Sequence, residues 1–301
     1  MKTSVLIITM TCAGTLFAQR ETRKHTANEA RKVRVVEATE NPPTESDHQF
    51  EVYGPDRIVT ANGIPDHDTG PFPNRGNPHA IEEQNYVFKI PAHPEPARQT
   101  TSVYGMPFGV GLNGVVFDPG TAEYWNGDRS SAWNYEALGG AVQLGVDENH
   151  AHVQPSGAYH YHGIPAGLLD TQGFKESEHS PLIGWAADGY PIYALYGYKG
   201  KDESKVIKHT SSYRIKEGNR PAQPEAPGGE YDGAFVQDFE YVPNLGTLDE
   251  CNGTWTVTPE FPDGTYAYFL TEEWPVIPRA FKGTPVNFKG NRGHSHRRGR
   301  R

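Results

Sequence analysis

Short runs in which aromatic or β-branched residues alternate with small or polar ones recur through the middle of the chain, each closed by Gly or Pro: FEVYG, NYVFKI, GVVFD, YPIYALYGY and TYAYFLT. A period of two between turn residues is the signature of strands that bury one face. Residues 122–140 (AEYWNGDRSSAWNYEALGG) read as the one helical stretch, broken by polar turns. Residues 219–233 (NRPAQPEAPGGEYDG) read as a loop-rich, mobile insert that marks no domain boundary. The pattern predicts a mainly β, antiparallel sandwich- or barrel-like single domain over residues 47–281, with long Gly/Pro-rich loops.

Composition agrees with this picture. Gly (33) and Pro (25) are spread over the 301 residues without a repeat period, which favours many short strands over long helices. The ends differ from the body. Residues 1–18 (MKTSVLIITMTCAGTLFA) place Lys2 before an apolar run too short to span a bilayer, the layout of a secretory signal peptide. A secreted or periplasmic protein is therefore expected, with no membrane span after signal removal. Residues 19–46 are polar, close on NPPTES and read as a flexible leader. Residues 282–301 carry seven Lys or Arg and no acid, a basic disordered tail able to contact polyanions. The formal net charge is −9, so the body between these ends is acidic, attracts cations and repels nucleic acid. Loss of Cys12 with the signal leaves Cys251 as a lone thiol, read as buried and inert. Asn252, Gly253 and Thr254 form a glycosylation sequon.

The candidate chemistry is concentrated in residues 149–163, NHAHVQPSGAYHYHG. Pro155 suits the first central position of a turn and Gly157 the positive φ that follows it, so residues 155–157 are expected to form a hairpin loop. Gln154 then faces Ala158, His152 faces His160, and His150 faces His162. All four imidazoles share one face, and Val153, Tyr159 and Tyr161 share the other. A slip of one residue at Gly157 would separate them into two HxH pairs. Residues 262–269, PDGTYAYF, match PSGAYHYH at residues 155–162 but carry Ala267 and Phe269 in place of His160 and His162, so the fold does not need the imidazoles. Four such rings on one face without an ion would leave many nitrogens to satisfy. All-nitrogen ligation points to a divalent transition metal, zinc or copper, and away from calcium.

Other candidates are less constrained. His67, in GIPDHDTGPFP, reads equally as a ligand from across the fold or as part of an Asx-turn. Asp188, in WAADGYPIY, reads as a turn residue or as a carboxylate that orients an imidazole. Three function classes follow. The first is an exported metal-binding protein built on the histidine-rich hairpin. The second is a metal-dependent hydrolase or copper redox enzyme, with Glu148 and Asp188 as candidate catalytic carboxylates. The third is a metal-independent surface or glycan-binding module presenting some of the sixteen Tyr and five Trp. His79, His93, His179 and His209 are scattered and receive no role.

The stretch NHAHVQPSGAYHYHGIP, with GVGLNGVVFDPGTAEYWNG before it and IGWAADGYPIYALYGY after it, is similar to the YHYH-domain family of exported proteins. The resemblance extends over most of residues 50–283 and places the name-giving motif on Tyr159, His160, Tyr161 and His162. It implies export and a YHYH domain but no particular activity. Relatives often carry a second Cys after the IPR step; Ala280 stands there in this chain, which implies that a disulfide from Cys251 is missing.

Overall fold

Strands form on the alternating runs in a computed structural model of the chain, which describes residues 33–288. The apolar run of residues 1–18, the first part of the leader and the tail beyond residue 288 lie outside the described residues. In chain order the strands are β1 His48–Tyr53, β2 Asp56–Ala61, β3 Tyr86–Pro91, β4 Pro96–Ser102, β5 Gly109–Gly111 and β6 Val116–Phe117. They continue with β7 Ala151–Val153, β8 Tyr159–Tyr161, β9 Gly184–Ala186, β10 Pro191–Ala194, β11 Tyr196–Lys199 and β12 Asp202–Lys208. The last are β13 Tyr213–Ile215, β14 Phe239–Tyr241, β15 Gly253–Thr258, β16 Phe261–Leu270 and β17 Ala280–Gly283. The protein is mainly β, as the pattern predicts.

Eight strands form the large sheet, in the order β15-β16-β10-β9-β5-β6-β8-β7. Its neighbours are antiparallel except β6–β8 and β10–β16, so this sheet is mixed. Each parallel pair is reached by a long crossover, which parallel strands require. The β1–β3 sheet lies against it, with Val59, Phe88 and Ile90 entering the same core as Phe108, Val110 and Trp185. Two packed layers make the domain sandwich-like.

The two halves of the large sheet repeat each other. In the β5–β6 turn Gly111 N–H donates to Val115 O and Gly114 N–H to Gly111 O; in the β9–β10 turn Ala186 N–H donates to Tyr190 O and Gly189 N–H to Ala186 O. Both turns need glycine: φ is +78° at Gly114 and +97° at Gly189, and an added Cβ would meet Ala61 or Pro91 at 2.4 and 2.3 Å. The outer hairpins match in the same way. His162 N–H donates to His150 O in one, and Phe269 N–H to Asn252 O in the other. The halves meet at the β5–β9 pair, where Val110 lies opposite Trp185.

This repeat explains the likeness of PSGAYHYH to PDGTYAYF, with one correction. The turn of the second hairpin falls at residues 259–260, where Thr258 pairs with Phe261, and Pro262–Gly264 lie within β16 beside a register shift. The strands are equivalent; the turns are not. Tyr159, Tyr161, Tyr266 and Tyr268 are all fully buried in the main core. Their partners on the other face differ: Ala267 and Phe269 pack with Tyr193 and Leu248 in a separate apolar cluster.

Four further expectations meet the structure here. Residues 122–140 hold only a 3-10 turn at Trp125–Gly127, with Asn126 at φ 58°; the polar Asn126-Gly127-Asp128 run breaks the helix, and the α-helix is instead Ala166–Thr171. The described part of the leader lies along the domain: Val36 N–H donates to Val146 O, Glu148 N–H to Val36 O, and Glu40 pairs with Thr69. The start of the tail also packs, since β17 continues to Gly283 and Phe288 stacks on Phe88 at 4.3 Å. The insert at residues 219–233 is tied down by buried Arg220, whose Nε donates to Asp238 Oδ1 at 2.8 Å and whose Nη2 pairs with Asp232.

Candidate metal centre

The hairpin closes as its turn residues predict. Gln154 N–H donates to Ala158 O, Gly157 N–H donates to Gln154 O, and Gly157 has φ +81°. His152 therefore lies opposite His160, with Val153 opposite Tyr159. The tyrosines anchor the other face: Tyr159 O–H donates to Asp147 Oδ2 at 2.6 Å, and Tyr161 accepts from Asn113 Nδ2 at 2.9 Å. On the opposite face the rings of His152, His160 and His162 form a triangle with 4.7 Å between each pair of centroids.

One donor atom from each of these three rings lies within 4.8 Å of the others. His152 Nδ1–H donates to Leu144 O at 3.0 Å and His160 Nδ1–H to Ala158 O at 3.2 Å, which leaves Nε2 as the lone-pair nitrogen of each. His162 Nε2 lies 3.0 Å from His152 Nε2. Two nitrogens bound to one ion at 2.0–2.1 Å are separated by about 2.9–3.4 Å for angles between 90 and 110°. Burial pushes His152 and His160 down to about 4, the charge of His160 adding to the effect on His152. His162 lies well below its ordinary value, first through burial and then through the charges of His160, His152 and Arg279. All three rings are thus neutral near pH 7, the form that ligates a metal. The donor set fits zinc or copper.

A cleft of about 800 Å³ opens beside the rings. His152 and His160 line it; His162 does not. The sequence reading missed the other polar groups on its walls. Asp118 follows β6, donates its N–H to Tyr161 O and falls on the histidine face by alternation from buried Phe117. His79 and Arg279 lie on the same cleft, and Arg279 is held by both oxygens of Glu136 at 2.9 and 2.7 Å.

A family model described as YHYH protein matches residues 87–283, well over half of the chain and inclusive of both halves of the large sheet. The chain belongs to the YHYH protein family. No curated protein and no solved structure matches it. In this YHYH protein the motif Tyr159–His162 supplies two of the three clustered imidazoles on one face and the two tyrosines that anchor them on the other.

The remaining candidates lie elsewhere in the YHYH protein. His150 has φ 50° and its Nδ1–H donates to Ile164 O at 3.0 Å, so its backbone faces His162 while its ring lies outside the group of three. His67 sits on the tyrosine face: its Nδ1–H donates to Asp68 O and its Nε2 accepts from Tyr161 O–H at 2.7 Å, which uses both ring nitrogens. Glu148 is exposed and its Oε2 accepts from Ala38 N–H; Asp188 is buried and accepts from Tyr268 O–H and Gly283 N–H. Neither lines the cleft. Asp188 is the repeat counterpart of Asn113, each holding the hydroxyl of an equivalent tyrosine.

The lone thiol is accounted for by packing. Cys251 is buried and free, and burial, then Asp249 and Glu250, push it up to about 12, which removes it as a nucleophile. The side-chain amide of Asn252 is also buried and donates to Phe269 O and Thr271 Oγ1, so the sequon is closed in the folded protein.

Proposed function

We propose that this YHYH protein binds one divalent transition metal ion, zinc or copper, through His152, His160 and His162, and that it does so as an exported protein. Three neutral imidazoles with their donor atoms within 4.8 Å of one another carry the reading. The repeat supports it: Thr254, Ala267 and Phe269 occupy the equivalent places in the second half, where Ala267 and Phe269 are fully buried. A backbone that folds with Thr, Ala and Phe has no need of three imidazoles. His150 and His67 stand outside the proposed ligand set. Export rests on the apolar run at residues 1–18; among the described residues no helix is long and apolar enough to cross a membrane.

The repeat also supplies the test. Elemental analysis of the untagged protein is expected to find close to one ion per chain. The variant His152→Thr, His160→Ala, His162→Phe copies the second half and is expected to keep its strand content and cooperative melting while losing the ion. A variant that folds and still retains stoichiometric metal sinks the reading.

A second reading, a metal-dependent hydrolase or copper redox enzyme, is favoured by one observation. Among the described residues three donors converge, and two of them line the cleft, so an ion held there keeps an open position. Glycan binding finds less support, because seven of the sixteen tyrosines, including both of the motif, are buried in the core.

A further inference from the structure

Given the metal reading above, the ligand that completes the coordination sphere must approach through the cleft, since His162 is only 2 % exposed and closes the inner side. The space, about 800 Å³, suits a small organic molecule. Charge then restricts its chemistry. Three neutral imidazoles leave a divalent ion uncompensated. Arg279 is offset by its ion pair with Glu136, and the cleft walls also carry both signs of charge in Arg129 and Glu123. The Asp118 carboxylate accepts from Gly120 N–H at 3.2 Å and Gln154 Nε2 at 3.4 Å. The ion's own charge therefore favours an anionic ligand at the open position.

The walls restrict the rest of the molecule. Leu144 and Val236 line the cleft as half-buried side chains, and Tyr104 and Tyr124 bridge two of its segments through hydroxyls 2.9 Å apart. This surface takes an apolar body. We infer that the cleft binds an organic carboxylate whose carboxylate group occupies the ion's open position and whose apolar part packs against Tyr104, Tyr124, Leu144 and Val236.

The test uses the full mature chain loaded with cobalt(II), whose visible absorption reports its coordination. Uptake is measured first by elemental analysis. Sodium benzoate is then titrated, with acetate, benzamide and phosphate as comparisons. Benzoate is expected to change the spectrum at about tenfold lower concentration than acetate, the effect of burying a ring. Benzamide, neutral and of the same shape, and phosphate at pH 8 are expected to act more weakly than benzoate. The Tyr104→Ala, Tyr124→Ala variant is expected to keep its cobalt and reduce benzoate to the level of acetate. Cobalt uptake with no spectral response overturns the inference and leaves the metal reading standing. So does equal response to benzoate and acetate, or to benzoate and benzamide. A folded protein that takes up no cobalt, zinc or copper overturns both.

Discussion

Acidifying the metal-free protein from pH 7 to pH 4 is expected to cost it several kcal/mol of stability, because its buried imidazoles are held neutral. His209 shows the sign most simply. It is 2 % exposed, stacks on Phe269 with centroids 4.1 Å apart and donates Nδ1–H to Thr247 Oγ1. Burial, then the charge of His179, pushes it down to about 4. In the unfolded chain it titrates near 6.5. Between these values the unfolded state binds the proton and the folded state does not. The stabilisation it contributes is therefore complete above pH 6.5 and declines as pH falls toward 4, by on the order of 3 kcal/mol.

His152 and His160, also at about 4, act in the same direction, though the three clustered rings feel one another and their effects do not add. Urea melts with chelator at pH 7, 5.5 and 4.5 check this. The His209→Gln variant is expected to show a shallower decline, by up to one proton. Zinc holds its ligands deprotonated, so the loaded protein is expected to keep its midpoint to lower pH and then lose it steeply as the ion leaves. Superimposable pH profiles for wild type and His209→Gln would remove burial of that ring from the account.

How much of this was legible follows the range of the interactions. The hairpin register was readable because Pro155 and Gly157 set it locally and alternation then sorted imidazoles from tyrosines. The alternating runs gave the strands for the same reason. His150 escaped because one residue at positive φ breaks alternation. A signal for it existed: DENHAHV at residues 147–153 matches DECNGTW at 249–255, and Asn252, a residue that favours the left-handed region, sits at φ 54° where His150 sits at 50°. His67 and Asp118 had no local signal. Their places depend on the long crossover that sets β8 parallel to β6, so no spacing announces that Asp118 falls on the histidine face. The mixed sheet was hidden for the same reason, since alternation predicts which face a residue takes but not which strand lies beside it.

Replacing Asp147 by Ala is expected to destabilise the protein by about 3–5 kcal/mol and to weaken metal binding without removing a ligand. Asp147 is fully buried. Its Oδ2 accepts from Tyr159 O–H at 2.6 Å and Gly70 N–H at 3.0 Å, and its Oδ1 from Asn149 N–H at 2.9 Å and Ala151 N–H at 3.2 Å. Alanine leaves those donors buried without this acceptor. The turn they form sets where β7 begins, and β7 carries His152. Asp249 does the same in the second half, accepting from Cys251 N–H, Gly253 N–H and Tyr266 O–H, which marks the carboxylate as part of the repeat's architecture and not of its chemistry. Thermal melts should place the Asp147→Ala midpoint roughly 10 °C or more below wild type, with zinc affinity reduced in parallel. Glu148→Ala, one residue on and exposed, is the matched comparison and should stay within about 0.5 kcal/mol of wild type with its zinc unchanged. If Asp147→Ala melts with wild type, the hairpin is held by packing alone. If it loses stability but binds zinc as tightly as wild type, the three imidazoles are positioned by the β7–β8 and β8–β6 pairings without help from the turn.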